Sequence, residues 1–154
     1  MVLNLCYIAS PPQSTYVLSY GERADVPRSR KKKSIIVVDD DRDFADMMLT
    51  MLTQLGYFVT ACDSPRVALH LVSRGPELFD AAIVDEIMPA MKGTELAIEL
   101  LRIKDDMPVI LVTGYGNLIP VDRVRAAGLR AALTKPLLKK DIRKVLSDVL
   151  AKGA

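Results

Sequence analysis

From Ser34 onward the chain alternates between two kinds of apolar pattern, and the alternation predicts its architecture. The first kind is a short unbroken run, as in Ile35-Ile36-Val37-Val38, which stops abruptly at Asp39-Asp40-Asp41. A β-branched run without polar alternation predicts a strand covered on both faces. Similar runs fall at 57–62, 81–84, 109–112 and 131–133. The second kind has a helical period. Phe44, Met47, Met48, Met51, Leu52 and Leu55 recur at steps of three and four, and Gly56 follows as a stop, which predicts a helix with those side chains as its buried stripe. Ser64-Pro65 reads as a cap followed by proline at the first helical position, with Val67, Ala68, Leu71 and Val72 inward. Further helices are expected over 94–102, over 120–127 with Gly128 as the stop, and over 139–150 with Ile142, Val145, Leu146 and Val149 inward.

Strand and helix thus alternate five times, with connections that suit right-handed crossovers. The expected fold class is α/β: a doubly wound, five-stranded parallel sheet with helices on both faces. In open sheets of this kind ligands bind at the carboxyl ends of the strands, so the fold expectation is also a site expectation. The unusual polar residues gather at those ends: Asp39, Asp40 and Asp41 after the first strand, Asp85 after the third, Thr113 after the fourth and Lys135 after the fifth. Residues 1–33, with Pro11-Pro12, Ser14, Gly21 and Pro27, show no sustained period and are expected as an extension or linker outside the core, with at most one strand over 13–20. The remainder, 34–154, is expected to be a single domain.

Composition narrows the function classes. Half of the 154 residues are apolar and 26% charged, a globular profile, and no apolar run approaches the ~18 to 20 residues of a membrane span. The start lacks the positive region and small-residue site of a secretory signal, so a cytoplasmic location is expected. The net charge of +2 is unevenly spread: residues 1–33 hold six Lys/Arg against two acids, the rest fifteen against seventeen. Arg28, Arg30, Lys31, Lys32 and Lys33 carry no interleaved aromatics, so a solvated linker is preferred over a nucleic-acid surface. Cys6 and Cys62 lack metal-site spacing and are expected as free thiols.

The clustered acids need a positive partner. At ~5 Å and an effective dielectric near 20, each pair of carboxylates repels by roughly 3 kcal/mol. Residue type offers a hard divalent cation and the ammonium of Lys135. An oxygen-only donor set without His or Cys favours Mg²⁺, which keeps several waters and completes its shell with phosphoryl oxygens. A carboxylate beside magnesium and a lysine is a nucleophile toward phosphorus, and the Thr113 hydroxyl is a hydrogen-bond donor to another phosphoryl oxygen.

Four segments carry a resemblance: Ile35 to Asp41; Asp85-Glu86-Ile87-Met88-Pro89-Ala90-Met91-Lys92-Gly93; Val109-Ile110-Leu111-Val112-Thr113-Gly114; and Leu133-Thr134-Lys135-Pro136. In this order, with steps of 45, 28 and 22 residues from Asp40 through Asp85 and Thr113 to Lys135, the stretch 34–150 resembles the receiver domains of two-component response regulators. The resemblance implies a flavodoxin-like fold of strand order 2-1-3-4-5, and a phosphorelay module in which Asp85 accepts a phosphoryl group from a histidine kinase or a histidine phosphotransfer protein. It implies Mg²⁺ held by Asp39, Asp40, Asp85 and the backbone carbonyl of Ile87, with Thr113 and Lys135 on the phosphoryl oxygens and a cis Lys135-Pro136 bond. Phosphorylation would alter the face formed by the fourth helix, fifth strand and fifth helix. Such a module loses its phosphoryl group by autodephosphorylation and is not a turnover enzyme.

Two departures stand out. Ala132 occupies the place of the family's usual Tyr or Phe, three residues before the lysine, and Gly114 follows the threonine where Ala or Ser is common. Together with the short ending, the missing aromatic resembles receivers of hybrid sensor kinases. No DNA-binding output domain is read after the last helix, so the output is expected from a partner or a preceding domain. Ile87 and Tyr115 flank the expected approach of water and are apolar and bulky, predicting slow hydrolysis of phospho-Asp85. Asp41 reads as a helix cap, Glu86 as a surface acid able to tune the metal, and Met88, Pro89, Met91 and Gly93 as shapers of the turn. His70 falls mid-helix, away from the strand tips. The alternative function is a haloacid-dehalogenase-type phosphohydrolase using Asp39 and Asp41; against it, Asp43 stands where that pattern expects Thr or Val. A flavin module would need a phosphate cradle after the first strand, where three carboxylates stand instead.

Overall fold

The computed structural model describes residues 6–10, 14–18, 32–114 and 119–151. They form seven strands, β1 (Cys6–Ser10), β2 (Ser14–Leu18), β3 (Ser34–Val38), β4 (Phe58–Cys62), β5 (Ala81–Asp85), β6 (Val109–Thr113) and β7 (Ala131–Thr134). The helices are α1 (Arg42–Gln54), α2 (Pro65–Arg74), α3 (Gly93–Ile103), α4 (Val121–Ala126) and α5 (Lys139–Ala151), with a 3₁₀ turn at Pro76–Leu78. One sheet holds all the strands, in the order β2-β1-β4-β3-β5-β6-β7. The five strands from β3 onward are parallel. Counted from β3, their order is 2-1-3-4-5, the arrangement of a flavodoxin-like fold.

The unbroken apolar runs have the expected cause. All five residues of β3 are buried. Ile36 and Val38 enter one cluster with Val67, Ala68 and Val72 of α2, Leu96 and Leu100 of α3 and Val124 of α4. Ile35 and Val37 enter the opposite cluster with Met48 and Leu52 of α1 and Ile142 and Leu146 of α5. Successive side chains therefore face two different helical layers, so both faces of the strand favour apolar residues. The crossovers close with left-handed glycines at Gly56 (φ 94°) and Gly128 (φ 73°), directly after α1 and α4, where a Cβ would be strained.

Two expectations are corrected. The stripe of α1 is rotated: Ala45, Met48, Leu49 and Leu52 are buried, whereas Met47 is 40% exposed. Residues 1–33 were expected outside the core, yet β1 and β2 form an antiparallel hairpin whose first strand pairs with β4. The physical reason is that β4 would otherwise be an open edge with unpaired backbone groups. Cys6, at 2% exposure, joins the core through this pairing. The expected strand over 13–20 corresponds to β2 for its described part. Arg28, Arg30 and Lys31 of the basic cluster, and Tyr115, lie outside the described residues. Lys33 is drawn back to the domain by an ion pair with Asp80 (2.9 Å), whose other oxygen accepts the Ser34 N–H (2.8 Å) at the start of β3.

Candidate functional site

The carboxyl ends of β3, β5, β6 and β7 meet at one rim of the sheet. At the end of β3 the Asp39 N–H donates to the Cys62 carbonyl (3.1 Å), fastening it to the tip of β4. Asp39 is 1% exposed, and its Oδ1 accepts the Asp41 N–H (2.8 Å). Asp40 is exposed. Asp41 turns toward the helix that follows, where its Oδ1 accepts the N–H groups of Asp43 and Phe44 (3.0 and 3.3 Å) and caps α1, as capping chemistry favours. Asp85 closes β5, buried, with Oδ2 accepting the Ile87 N–H (2.8 Å).

Lys135 reaches this cluster from just beyond β7. Its backbone N–H donates to the Thr113 carbonyl (2.8 Å), tying the tips of β6 and β7 together. Its Nζ lies 2.9 Å from Asp39 Oδ2 and 3.0 Å from Asp85 Oδ1. The same ammonium sits 3.9 Å from the centre of the Phe44 ring, in cation–π contact. The Lys135-Pro136 bond is cis. Thr113, 2% exposed, stands one residue past Val112, the ladder partner of Asp85.

The electrostatics follow from two buried carboxylates, Asp39 and Asp85, facing one ammonium, with the exposed Asp40 beside them. Burial pushes the Asp39 carboxyl above its ordinary range, and the hydrogen bond from Lys135 only partly offsets this. For Lys135 burial acts downward, but its bonds to Asp39 and Asp85 outweigh it and hold the amine above the usual lysine value. That both partners shift upward is consistent: the site carries surplus negative charge. One oxygen from each of Asp39, Asp40 and Asp85 lies within 4.8 Å of the others. Opposite ligands around Mg²⁺ stand about 4.2 Å apart, twice the usual bond of ~2.1 Å. Neighbouring ligands stand closer, about 3 Å apart, so three oxygens within 4.8 Å of one another are near the spacing of ligands on a shared ion, and their hard, all-oxygen chemistry fits magnesium.

The loop after Asp85 is built around close backbone approach. Ala90 takes a left-handed conformation (φ 71°), and the Gly93 N–H donates to the Glu86 carbonyl (3.0 Å). A Cβ on Gly93 would overlap the Asp85 carbonyl oxygen. Glu86 accepts from Thr94 at both the N–H and the hydroxyl (2.8 and 3.3 Å), steadying the start of α3. Ile87 is 62% exposed beside Asp85. Where the usual aromatic is replaced by Ala132, a cavity of about 360 Å³ opens, lined by Thr113, Val124, Leu129 and Ala132 among others.

The site expected from sequence therefore assembles for Asp39, Asp40, Asp85 and Lys135, with Thr113 on the same rim. Sequence reasoning missed Phe44 as the platform under Lys135 and the contact of Gly93 with Asp85. The available signals were an aromatic in the first turn of a Met- and Leu-rich helix, and a glycine where a helix begins.

A sequence profile of the response regulator receiver domain matches residues 35–147. The chain belongs to that family. Among similar proteins, the transcriptional regulatory protein GlrR of Escherichia coli is 30% identical over 126 residues, 82% of this chain and 28% of the relative. The two-component response regulator ORR26 of Oryza sativa is 33% identical over 118 residues, 77% of this chain and 20% of that protein. The chain thus spans less than a third of the length of either of these two relatives. A CheY-like receiver domain structure from Methanospirillum hungatei aligns with TM-score 0.73 at 30% identity, over 79% of this chain and 96% of that one. These likenesses give the receiver a phosphorelay signalling role and lend no support to the haloacid-dehalogenase alternative. The capping role of Asp41 argues the same way, since its carboxylate is engaged by the helix.

Proposed function

We propose that this receiver takes a phosphoryl group onto Asp85 from the phosphohistidine of a histidine kinase or a histidine phosphotransfer protein. An Asp85 oxygen attacks phosphorus, the P–N bond breaks, and the electron pair and a proton end on the departing imidazole. The observation that carries this reading is the convergence of Lys135 on Asp39 and Asp85, from tips of strands far apart in sequence. Lys135 moves its ammonium from carboxylate to phosphoryl oxygen as charge builds there, while Thr113 donates its hydroxyl hydrogen to another oxygen. Asp39, Asp40, Asp85 and the Ile87 carbonyl are the residues that would hold Mg²⁺. Bound there, magnesium neutralises charge on the phosphoryl oxygens and steadies the attacking carboxylate. The product is an aspartyl phosphate that ends in autodephosphorylation, a signalling cycle in place of substrate turnover. The functional unit is taken as residues 34–154, with the β1–β2 hairpin added at the edge of its sheet. Its output falls on the face formed by α4, β7 and α5, where the exposed Ala132 removes the bulk of an aromatic reporter.

The test is incubation with acetyl phosphate and Mg²⁺ followed by intact-mass measurement and peptide mapping. One phosphoryl group on Asp85 is expected, absent in Asp85→Asn and when magnesium is chelated. Steady phosphate release dependent on Asp39 and Asp41, with Asp85 unmodified, would overturn the assignment.

A further inference from the structure

Cys6 and Cys62 are direct partners in the antiparallel ladder between β1 and β4. Their Sγ atoms lie 2.7 Å apart, both residues are buried, and both are free thiols. Residues directly opposite in such a ladder have Cα atoms roughly 4.5 to 5.5 Å apart, inside the approximate 4.4 to 6.8 Å window of a disulfide. Both belong to the same buried cluster, so the side chains issue from the same face of the sheet. The phosphoryl chemistry uses neither of them. The Cys62 carbonyl nevertheless accepts the Asp39 N–H, which puts the pair one hydrogen bond from the acidic rim.

We propose that Cys6 and Cys62 form a reversible dithiol–disulfide clasp that fastens the amino-terminal hairpin to the edge of the receiver sheet. The oxidant class is a small-molecule disulfide, for which glutathione disulfide is the probe. One cysteine thiolate attacks a glutathione sulfur, forming a mixed disulfide and expelling the first glutathione thiolate. The second cysteine attacks the protein sulfur of that mixed disulfide and expels the second glutathione thiolate. The two thiol protons end on two glutathione molecules, and the two electrons lost by the cysteines reduce the glutathione disulfide.

The surroundings set when this occurs. Burial pushes the Cys62 thiol well above its usual range, so the closed hairpin holds a poor nucleophile shielded from reagents. A hairpin of two five-residue strands at the end of a sheet opens more readily than the parallel core. Exchange therefore proceeds through the opened hairpin, and closure of the disulfide traps the shut form. The linked residues are 56 apart in sequence, so the bond constrains a long stretch of the unfolded chain.

The full chain, prepared reduced, is equilibrated with reduced and oxidised glutathione over a range of ratios, with and without sub-denaturing urea to populate the opened hairpin. Thiol alkylation with mass mapping and thermal unfolding follow. An intramolecular Cys6–Cys62 disulfide is expected, reversible on adding reductant, with a Tm about 10 °C above the reduced form. Cys6→Ser should show no oxidation-dependent rise in Tm. Persistence of both free thiols under the most oxidising condition in urea would overturn the proposal. So would links between chains, stable glutathione adducts without ring closure, or an intramolecular disulfide that leaves Tm unchanged or lower.

Discussion

Gly93 rests its bare α-carbon against the backbone of Asp85, so closely that a Cβ would overlap the Asp85 carbonyl oxygen. The start of α3 thereby serves as the back wall of the acceptor loop. Because the clashing atoms belong to backbone, relief requires moving Asp85 or the helix. Gly93→Ala is expected to cost about 1–3 kcal/mol of stability through overpacking and to slow phosphorylation by displacing the Asp85 carboxylate. Urea denaturation and acetyl phosphate labelling measure the two effects. Normal labelling in a destabilised variant would show that the loop yields without disturbing the acceptor.

Lys135 is the counter-charge common to Asp39 and Asp85, and its own side chain is 26% exposed. Lys135→Met leaves two buried carboxylates facing each other. In chelator the expected loss is about 1–2 kcal/mol, below that of breaking a fully buried pair because water reaches the lysine. Millimolar Mg²⁺ should restore more stability to the variant than it adds to the parent, since a divalent cation relieves the same repulsion. Equal increments in denaturant titrations of the two proteins would mean that the cation binds elsewhere.

The Asp39 carboxyl titrates above its ordinary value of 3.8 in the folded state, chiefly because it is buried. A raised folded value means that the native state holds this proton more tightly than the unfolded chain. Ionised Asp39 therefore opposes folding at neutral pH, and the penalty is relieved as pH falls through the folded value toward 3.8. Without divalent cations, stability measured against Asp39→Asn should rise on acidification over that window, and saturating Mg²⁺ should flatten the difference. A parent protein that loses stability relative to Asp39→Asn across the same window would reverse the sign.

The parallel core was legible because β3, β4, β5 and β6 are buried on both sides, as the unbroken run Ile35-Ile36-Val37-Val38 requires. The rim was legible for a related reason, since Asp39, Asp85, Thr113 and Lys135 interrupt apolar runs at their ends. The rotation of α1 was not. With Met47, Met48, Leu49, Met51 and Leu52 in close succession, the helix is apolar over much of its circumference, and contact with the sheet decides that Leu49 turns in and Met47 out. Five-residue strands such as β1 have too little period to announce themselves, and the hairpin becomes intelligible only beside the edge of β4. Phe44 and Gly93 act through spatial neighbours in other elements, which a linear pattern does not carry.

Ile87 stands at the mouth of the acceptor site with 62% of its surface exposed, while its N–H is bonded to the Asp85 carboxylate. The backbone is thus committed to positioning Asp85, and the side chain is free to screen the acceptor from solvent. Hydrolysis of an aspartyl phosphate needs a water in line with the scissile P–O bond, and an apolar side chain there offers it no hydrogen bond. Ile87→Asn supplies a donor and an acceptor at the same place and should hasten loss of the phosphoryl group by roughly tenfold, the gain from about 1.4 kcal/mol of barrier. Because the residue is exposed, its replacement should leave stability within about 0.5 kcal/mol of the parent. Phosphate release timed after removal of acetyl phosphate provides the measurement. An unchanged or longer lifetime would remove Ile87 from control of water and leave the lifetime to the rest of the rim.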